Sequence, residues 1–217
     1  MCSSDWWVAI LSSISFWFPC FMYDVYAYKM KPMIIGIAGR AGSGKSTLAN
    51  MLTSRHGYKE LNFADPLKDM ARALGFKVDT QQDKQTIHPY WKLSGRHFLQ
   101  LWGTQVGRQL VPEVISQMPN IWIQHMDMRL TSYCNEEGVL TQSVVVADVR
   151  FPDEAQMIKE NGGIVIHLSR DDEQQMTHIS ERDLPRSVID YWIINNGTRE
   201  ELYQQCMSLL KRHQENE

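Results

Sequence analysis

From residue 33 onward the chain alternates short apolar runs with longer amphipathic stretches. The run MIIGIA at 33–38 is continuous and apolar, as in a parallel strand buried on both faces. A glycine-rich turn follows, then a stretch with Leu48, Met51 and Leu52 on one helical side. YKELNF at 58–63 predicts a second strand. Asp65 and Pro66 fit an N-cap and first helical residue, and Leu67, Met70, Ala71 and Leu74 keep helical spacing up to a stop at Gly75. Residues 76–95 are polar and irregular and predict a loop. Phe98, Leu101, Trp102, Val106 and Leu110 predict a helix, and Trp122, Met126 and Leu130 another. SVVVADV at 143–149 is β-branched and predicts a central strand; 152–161 is a short helix closed by Gly162 and Gly163. Strands are predicted again at 164–168 and 189–195, and Thr198 with Glu201 forms a capping box before a last helix lined by Leu202, Cys206 and Leu209. Five apolar strands interspersed with helices predict an α/β fold with a five-stranded parallel sheet and right-handed crossovers. Ligands then gather at the carboxyl ends of the strands.

The first thirty residues break this rhythm. Residues 6–22 read WWVAILSSISFWFPCFM, apolar and aromatic, with three serines and Pro19. That is short for a membrane span of about 20 residues, and no positive region precedes it. Three readings stand: upstream sequence joined to a protein beginning at Met30 or Met33, a membrane anchor, or a segment that packs on the domain or binds a partner. Membrane contact is expected only under the second. The division expected is 1–32 as an extension and 33–217 as one folded domain, with an acceptor-binding region near 64–132 and a charged, lid-like segment near 169–188. A formal net charge of −3 with no basic run argues against a stable nucleic-acid complex. Four widely spaced cysteines (Cys2, Cys20, Cys134, Cys206) have neither zinc nor CxxC spacing, and read as reduced thiols of a cytoplasmic protein. A homodimer is left open.

The chemistry begins at Gly39. Gly39-Arg40-Ala41-Gly42-Ser43-Gly44-Lys45-Ser46 fits GxxxxGK[ST], with a strand before it and a helix after it. Glycines let backbone N–H groups converge on phosphate oxygens, and the helix start adds partial positive charge. Lys45 then bridges the β- and γ-phosphates of ATP, Ser46 binds Mg2+, and Thr47 donates to the α-phosphate. This pattern specifies a nucleoside triphosphate; other residues must define what receives the phosphoryl group.

Asp65 ends the second strand, either as an N-cap or in contact with metal or acceptor. Lys68 and Arg72 put two cations on one helical face beside it. Arg96, Gln100, Thr104 and Arg108 are spaced by four and share a helical face, while Gly103 and Gly107 favour a close approach by a ligand or another backbone. Gln100 can read a base edge, and Arg96 or Arg108 can clamp a phosphate. Trp122 can stack on a base or pack in the core. Asp148, closing VVVAD, is the second candidate for magnesium, and Arg150 points to the same side of its strand. Arg170, Arg182 and Arg186 lie in the charged segment, where an arginine could swing over ATP.

Four patterns together, FADPLK at 63–68, LQxxGTxxxR at 99–108, DVRFPxEA at 148–155, and His178 with Ser180-Glu181, followed by Asp190, Asn195 and Gly197, resemble the phage-type deoxynucleoside monophosphate kinases. The resemblance runs from about Met33 to the C-terminus. It implies a P-loop NTPase three-layer sandwich of nucleoside monophosphate kinase type, and ATP- and Mg2+-dependent phosphorylation of deoxynucleoside monophosphates. By the same resemblance Lys68 and Arg108 touch the acceptor and Arg150 the reacting phosphates, with Lys45 and Asp65 as further catalytic candidates. Some local motifs also resemble animal-type phosphomevalonate kinases. Kinases of other small phosphorylated metabolites, of polynucleotide ends, or a non-kinase P-loop ATPase are the alternatives.

Overall fold

The structure is a computed structural model that describes residues 31–115, 120–170 and 184–216. Residues 1–30 and most of the lid-like segment lie outside the described residues, as do His178, Glu181 and Arg182.

Five parallel strands form one sheet in the order β2-β3-β1-β4-β5. They are β1 (Ile34–Ala38), β2 (Lys59–Leu61), β3 (Val144–Val149), β4 (Ile164–Ser169) and β5 (Tyr191–Ile194). The helices are α1 (Lys45–His56), α2 (Asp65–Ala73), α3 (Gln81–Gln85), α4 (Gly95–Gln100), α5 (Val111–Val114), α6 (Ile121–Thr131), α7 (Pro152–Glu160) and α8 (Arg199–Glu215). All five expected strands are present. In β1 every residue is buried, which is why its sequence is apolar throughout and does not alternate.

Strand side chains alternate between two faces. Ile34, Ala38, Val144, Val146 and Val165 meet Leu67 and Ala71 of α2, Phe98 of α4, Trp122, Met126 and Leu130 of α6, and Ala155 and Ile158 of α7 in one buried cluster. Helices α1 and α8 pack together on the opposite side, with Leu48, Leu52, Leu202 and Leu210 buried. Arg55 near the end of α1 bonds Glu200 at the start of α8 with both forks (3.0 and 2.8 Å).

Three local expectations are corrected. Asp65 is the first residue of α2 rather than its N-cap; Ala64 takes that place without a side-chain bond. The polar stretch expected as loop contains α3, which Thr80 and Asp83 close as a reciprocal capping box. The helix expected around 98–110 is not a regular α-helix, because Leu101–Leu110 between α4 and α5 is π-helical. An α turn takes slightly fewer than four residues and a π turn slightly more, so Arg96, Gln100, Thr104 and Arg108 still fall near one side of the coil.

Among the described residues no helix is long and apolar enough to cross a membrane. Cys134 and Cys206 are free thiols, and burial pushes the Cys206 thiol up to about 12.

Candidate active site

The phosphate loop leaves the carboxyl end of β1, between β3 and β4. Gly44, at φ +106°, precedes α1 in a left-handed conformation, and a Cβ there would lie 2.4 Å from Asn195 Nδ2. Only glycine fits that position. Asn195 is 5% exposed; its Nδ2 donates to the Ser43 carbonyl (2.8 Å) and its backbone N–H to the Ser169 carbonyl (2.8 Å). The residue after β5 thereby fixes the orientation of the loop peptide at Ser43. Sequence reasoning gave Asn195 no role, since nothing in a strand-end asparagine shows which loop it braces. Lys45 Nζ donates to the carbonyls of Gly39 (2.6 Å) and Arg40 (2.7 Å), which holds the ammonium against the loop it was expected to serve. Ser46 is exposed, Thr47 half-buried, and Ala41 and Gly42 form the exposed tip.

Removing the Asn195 amide should loosen the loop without touching the acceptor side. Asn195→Ala is expected to weaken ATP binding roughly 5- to 10-fold, the loss of about one buried hydrogen bond. The acceptor KM should stay unchanged, and titration with a fluorescent ATP analogue checks the first effect.

On the other flank of β1, Asp148 near the end of β3 ties down the β2–α2 turn. Its Oδ1 accepts the Phe63 N–H and its Oδ2 the Ala64 N–H, each at 2.9 Å. Burial raises its pKa; the two amides, Arg150 and Lys68 pull the other way. Each oxygen keeps a lone pair for a cation. The tie was invisible in sequence, because it links positions 84 and 85 residues apart. Asp65 accepts the Asn62 N–H (3.2 Å) and faces Lys68 at 3.5 Å. Arg72, expected beside the acceptor, has its guanidinium engaged by Asp69 and Asp79 (2.6 Å each), on an exposed surface.

The segment after β3 carries a second network. Glu154 reaches back to the N–H groups of Arg150 (2.7 Å) and Phe151 (3.1 Å), and Pro152 and Glu154 are the first and third residues of α7. Arg108 pairs with Glu154, bonds both oxygens of Asp153 (3.1 and 3.0 Å), and lies 3.7 Å from the Phe151 ring centroid. Asn120 adds a bond to Asp153 (2.6 Å). Arg108, expected at the acceptor, has its side chain 11% exposed and its donors on two carboxylates of the turn that follows Arg150. Glu154 appears in the sequence reading only inside the DVRFPxEA pattern, although Pro152 with Glu154 already had the spacing of a helix start.

Burial pushes the Glu154 carboxyl up, to about 8, against the pull of Arg108. A native carboxyl that holds its proton above the ordinary value of 4.5 favours the fold at low pH. Stability should therefore fall as pH rises from about 4.5 towards about 8. Glu154→Gln should flatten that fall, as read by urea unfolding at a series of pH values.

Trp122, expected either to stack on a base or to pack in the core, lies in the buried cluster. It is 5% exposed, its indole N–H donates to the Gly103 carbonyl (2.9 Å), and a Cβ on Gly107 would strike its ring at 2.5 Å. The close approach is made by this indole at Gly107, and by Leu67 of α2 at Gly103, where a Cβ would lie 2.9 Å from its Cδ2. Arg96 bonds Gln81 on α3 (2.8 Å). Gln100 and Thr104 are half-buried, Arg170 is exposed just past β4, and Arg150 is exposed beyond β3. Sequence reasoning missed Lys84 on α3, whose surroundings are cationic.

A parallel five-stranded sheet with a glycine phosphate loop between its first strand and first helix defines a P-loop α/β protein. The family model described as "Deoxynucleotide monophosphate kinase" matches residues 74–206. A "Putative deoxynucleotide monophosphate kinase" of Acanthamoeba polyphaga mimivirus is 35% identical over 197 residues, covering 81% of this chain and 95% of that protein. The "Deoxynucleoside-5'-monophosphate kinase" of Escherichia phage T5 is 30% identical over 131 residues, covering 52% of this chain and 46% of that protein. The chain belongs to the deoxynucleotide monophosphate kinase family. A solved gluconokinase structure from Sinorhizobium meliloti 1021 has a TM-score of 0.45 at 16% identity, covering 86% of this chain and 96% of its own.

Proposed function

We propose that the protein transfers the γ-phosphoryl group of ATP to deoxynucleoside monophosphates, giving the diphosphates and ADP. The observation that carries the reading is the meeting, at the carboxyl edge of one sheet, of the phosphate loop with Asp148 and the two cations that act on it, Lys68 and Arg150. Family membership supports the choice of acceptor.

The residues present suit such a transfer. A monophosphate has a second pKa near 6, so its attacking oxygen is largely ionised at neutral pH and needs no strong general base. The chain supplies orientation and positive charge instead. Loop amides and Lys45 hold the β- and γ-phosphates, Lys68 receives the acceptor's phosphate, and Arg150 offsets charge on the group in transit. Asp65 keeps Lys68 oriented through their ion pair. Ser46 and Asp148 offer a hydroxyl and one carboxylate, hard oxygen donors of the kind Mg2+ takes alongside phosphate oxygens and waters. When bound there, Mg2+ would neutralise charge on the β- and γ-phosphates. Gln100 and Thr104 remain candidates for reading the base, and Arg170 for closing over ATP.

The test is incubation of purified protein with ATP, Mg2+ and each of the four deoxynucleoside monophosphates in turn, with phosphomevalonate as a separate arm. Formation of a deoxynucleoside diphosphate with matching ADP is the expected result. ATP hydrolysis that no acceptor stimulates, or product only with phosphomevalonate, overturns the reading.

A further inference from the structure

Lys84 lies in the one stretch of the domain where no motif could be recognised, and its setting is unusual for a lysine. It sits on α3, a helix of five residues whose geometry is tightly specified. The Thr80 hydroxyl accepts the Asp83 N–H (3.0 Å), while the Asp83 carboxylate accepts from the Thr80 N–H (3.2 Å) and hydroxyl (2.8 Å). Just before the helix, Phe76 and Val78 anchor the chain in the core at 4% and 0% exposure. Just after it, Ile87 pairs with Ser94 as an antiparallel bridge. The start of α4 closes onto α3 so nearly that a Cβ on Gly95 would lie 2.7 Å from the Lys77 carbonyl and 3.5 Å from the Lys84 Cα. So short a helix, fastened at both ends and crossed by a glycine, fixes where the Lys84 side chain departs.

That side chain is half-buried and, among the described residues, has no hydrogen-bond or ion-pair partner. The nearest acids are committed elsewhere. Asp83 closes the capping box, and Asp79 binds Arg72. The charged groups acting on Lys84 are Lys68 of α2, Arg150 beyond β3 and Arg96 of α4, all of them cations, with Asp79 the weakest influence. Burial and these neighbours together favour loss of its proton. Lys68 has only the 3.5 Å contact with Asp65, and the Arg150 side chain has no partner among the described residues. Helices α2 and α3 both pack on α4, and Lys68 and Arg150, which act on Lys84, also act on Asp148.

Gathering like charges in a partly desolvated place raises their energy unless an anion joins them. A solvated basic surface would separate such side chains or pair them with acids, as Arg72 is paired nearby, whereas Lys84 and the Arg150 side chain meet no acid among the described residues. The carboxylate already present, Asp148, is satisfied by two backbone amides, so it does not discharge the cluster. We propose that Lys84, together with Lys68 and Arg96, forms the subsite that receives the phosphate of the monophosphate acceptor, with α3 as the element that delivers it. A phosphate dianion matches the count and spread of donors better than a single carboxylate, because ammonium and guanidinium groups arriving from separate elements can each take a different oxygen. Under the proposed transfer the ATP polyphosphate is served by Lys45 and the loop amides, which leaves these cations for the acceptor. The proposal rests on the acceptor class given above.

Two measurements test it. In the first, Lys84→Gln is compared with the unaltered chain in steady-state transfer from ATP. The acceptor KM should rise roughly 10- to 100-fold, the worth of a charge-assisted hydrogen bond, with the ATP KM unchanged and Lys84→Arg restoring part of the loss. An unchanged acceptor KM, or equal rises for both substrates, overturns the proposal. The second needs no turnover. Lysines are labelled with an amine-reactive reagent at mildly alkaline pH and read by peptide mass spectrometry. Lys84 should react readily, and a deoxynucleoside monophosphate or inorganic phosphate should protect it, whereas ATP should not. Labelling indifferent to both anions sinks the proposal. If no monophosphate is phosphorylated by the unaltered chain yet inorganic phosphate still shields Lys84, the anion site stands and the acceptor assignment fails.

Discussion

Lys45→Ala is expected to lower kcat roughly 10³-fold, the scale seen when one fixed donor to a developing charge is removed. The prediction follows from where the ammonium sits. Its bonds run to the carbonyls of Gly39 and Arg40, so it bridges the near lip of the loop and can swing from those carbonyls to the phosphate oxygens with little travel. Neither bond secures the core, and the φ angles at Gly39, Gly42 and Gly44 belong to the loop whatever follows it. Unfolding should therefore be almost unaffected, and thermal melting distinguishes lost chemistry from lost structure. Lys45→Arg should recover little, because a planar fork replaces a compact point charge. A variant retaining a tenth of the original kcat would remove Lys45 from the transfer step.

Arg108→Ala should behave in the opposite way, costing stability first. Its partner Glu154 has a side chain only 3% exposed, and Arg108 is the cation that opposes its protonation. Above about pH 8, where Glu154 is ionised, deleting Arg108 leaves a buried carboxylate without compensation and costs about 3 kcal/mol or more. The loss should be partly repaired in Arg108→Ala with Glu154→Gln, where no carboxylate is stranded. Urea unfolding of the single and double variants measures the difference. Residual activity should fall through kcat, since the turn bearing Arg150 is loosened. A rise confined to the acceptor KM, without destabilisation, would return Arg108 to direct contact with the acceptor.

The fold was largely legible in the sequence because both-face burial writes strands as unbroken apolar runs. MIIGIA and SVVVADV became β1 and β3, adjacent and parallel. The phosphate loop was legible because its function constrains a contiguous stretch. What escaped was chemistry assembled from distant positions. Arg108 meets Glu154 across 46 residues, and Asn195 meets Ser43 across 152. No periodicity encodes such partners. The sequence left Trp122 between ring packing and base stacking because an indole beside two glycines suits either, and its bond to the Gly103 carbonyl exists only in the folded chain. Lys84 was overlooked because a cation in a polar stretch looks solvated until its neighbours are known.

Asp148 grips the amides of Phe63 and Ala64 from the end of a neighbouring strand, so the two halves of the site share one fastener. A cation held on the remaining lone pairs of that carboxylate would weaken its hold on the amides that steady the turn ahead of Lys68. Under the proposed transfer, loading on the nucleotide side would then alter stiffness on the acceptor side, and reciprocity would require the same influence in reverse.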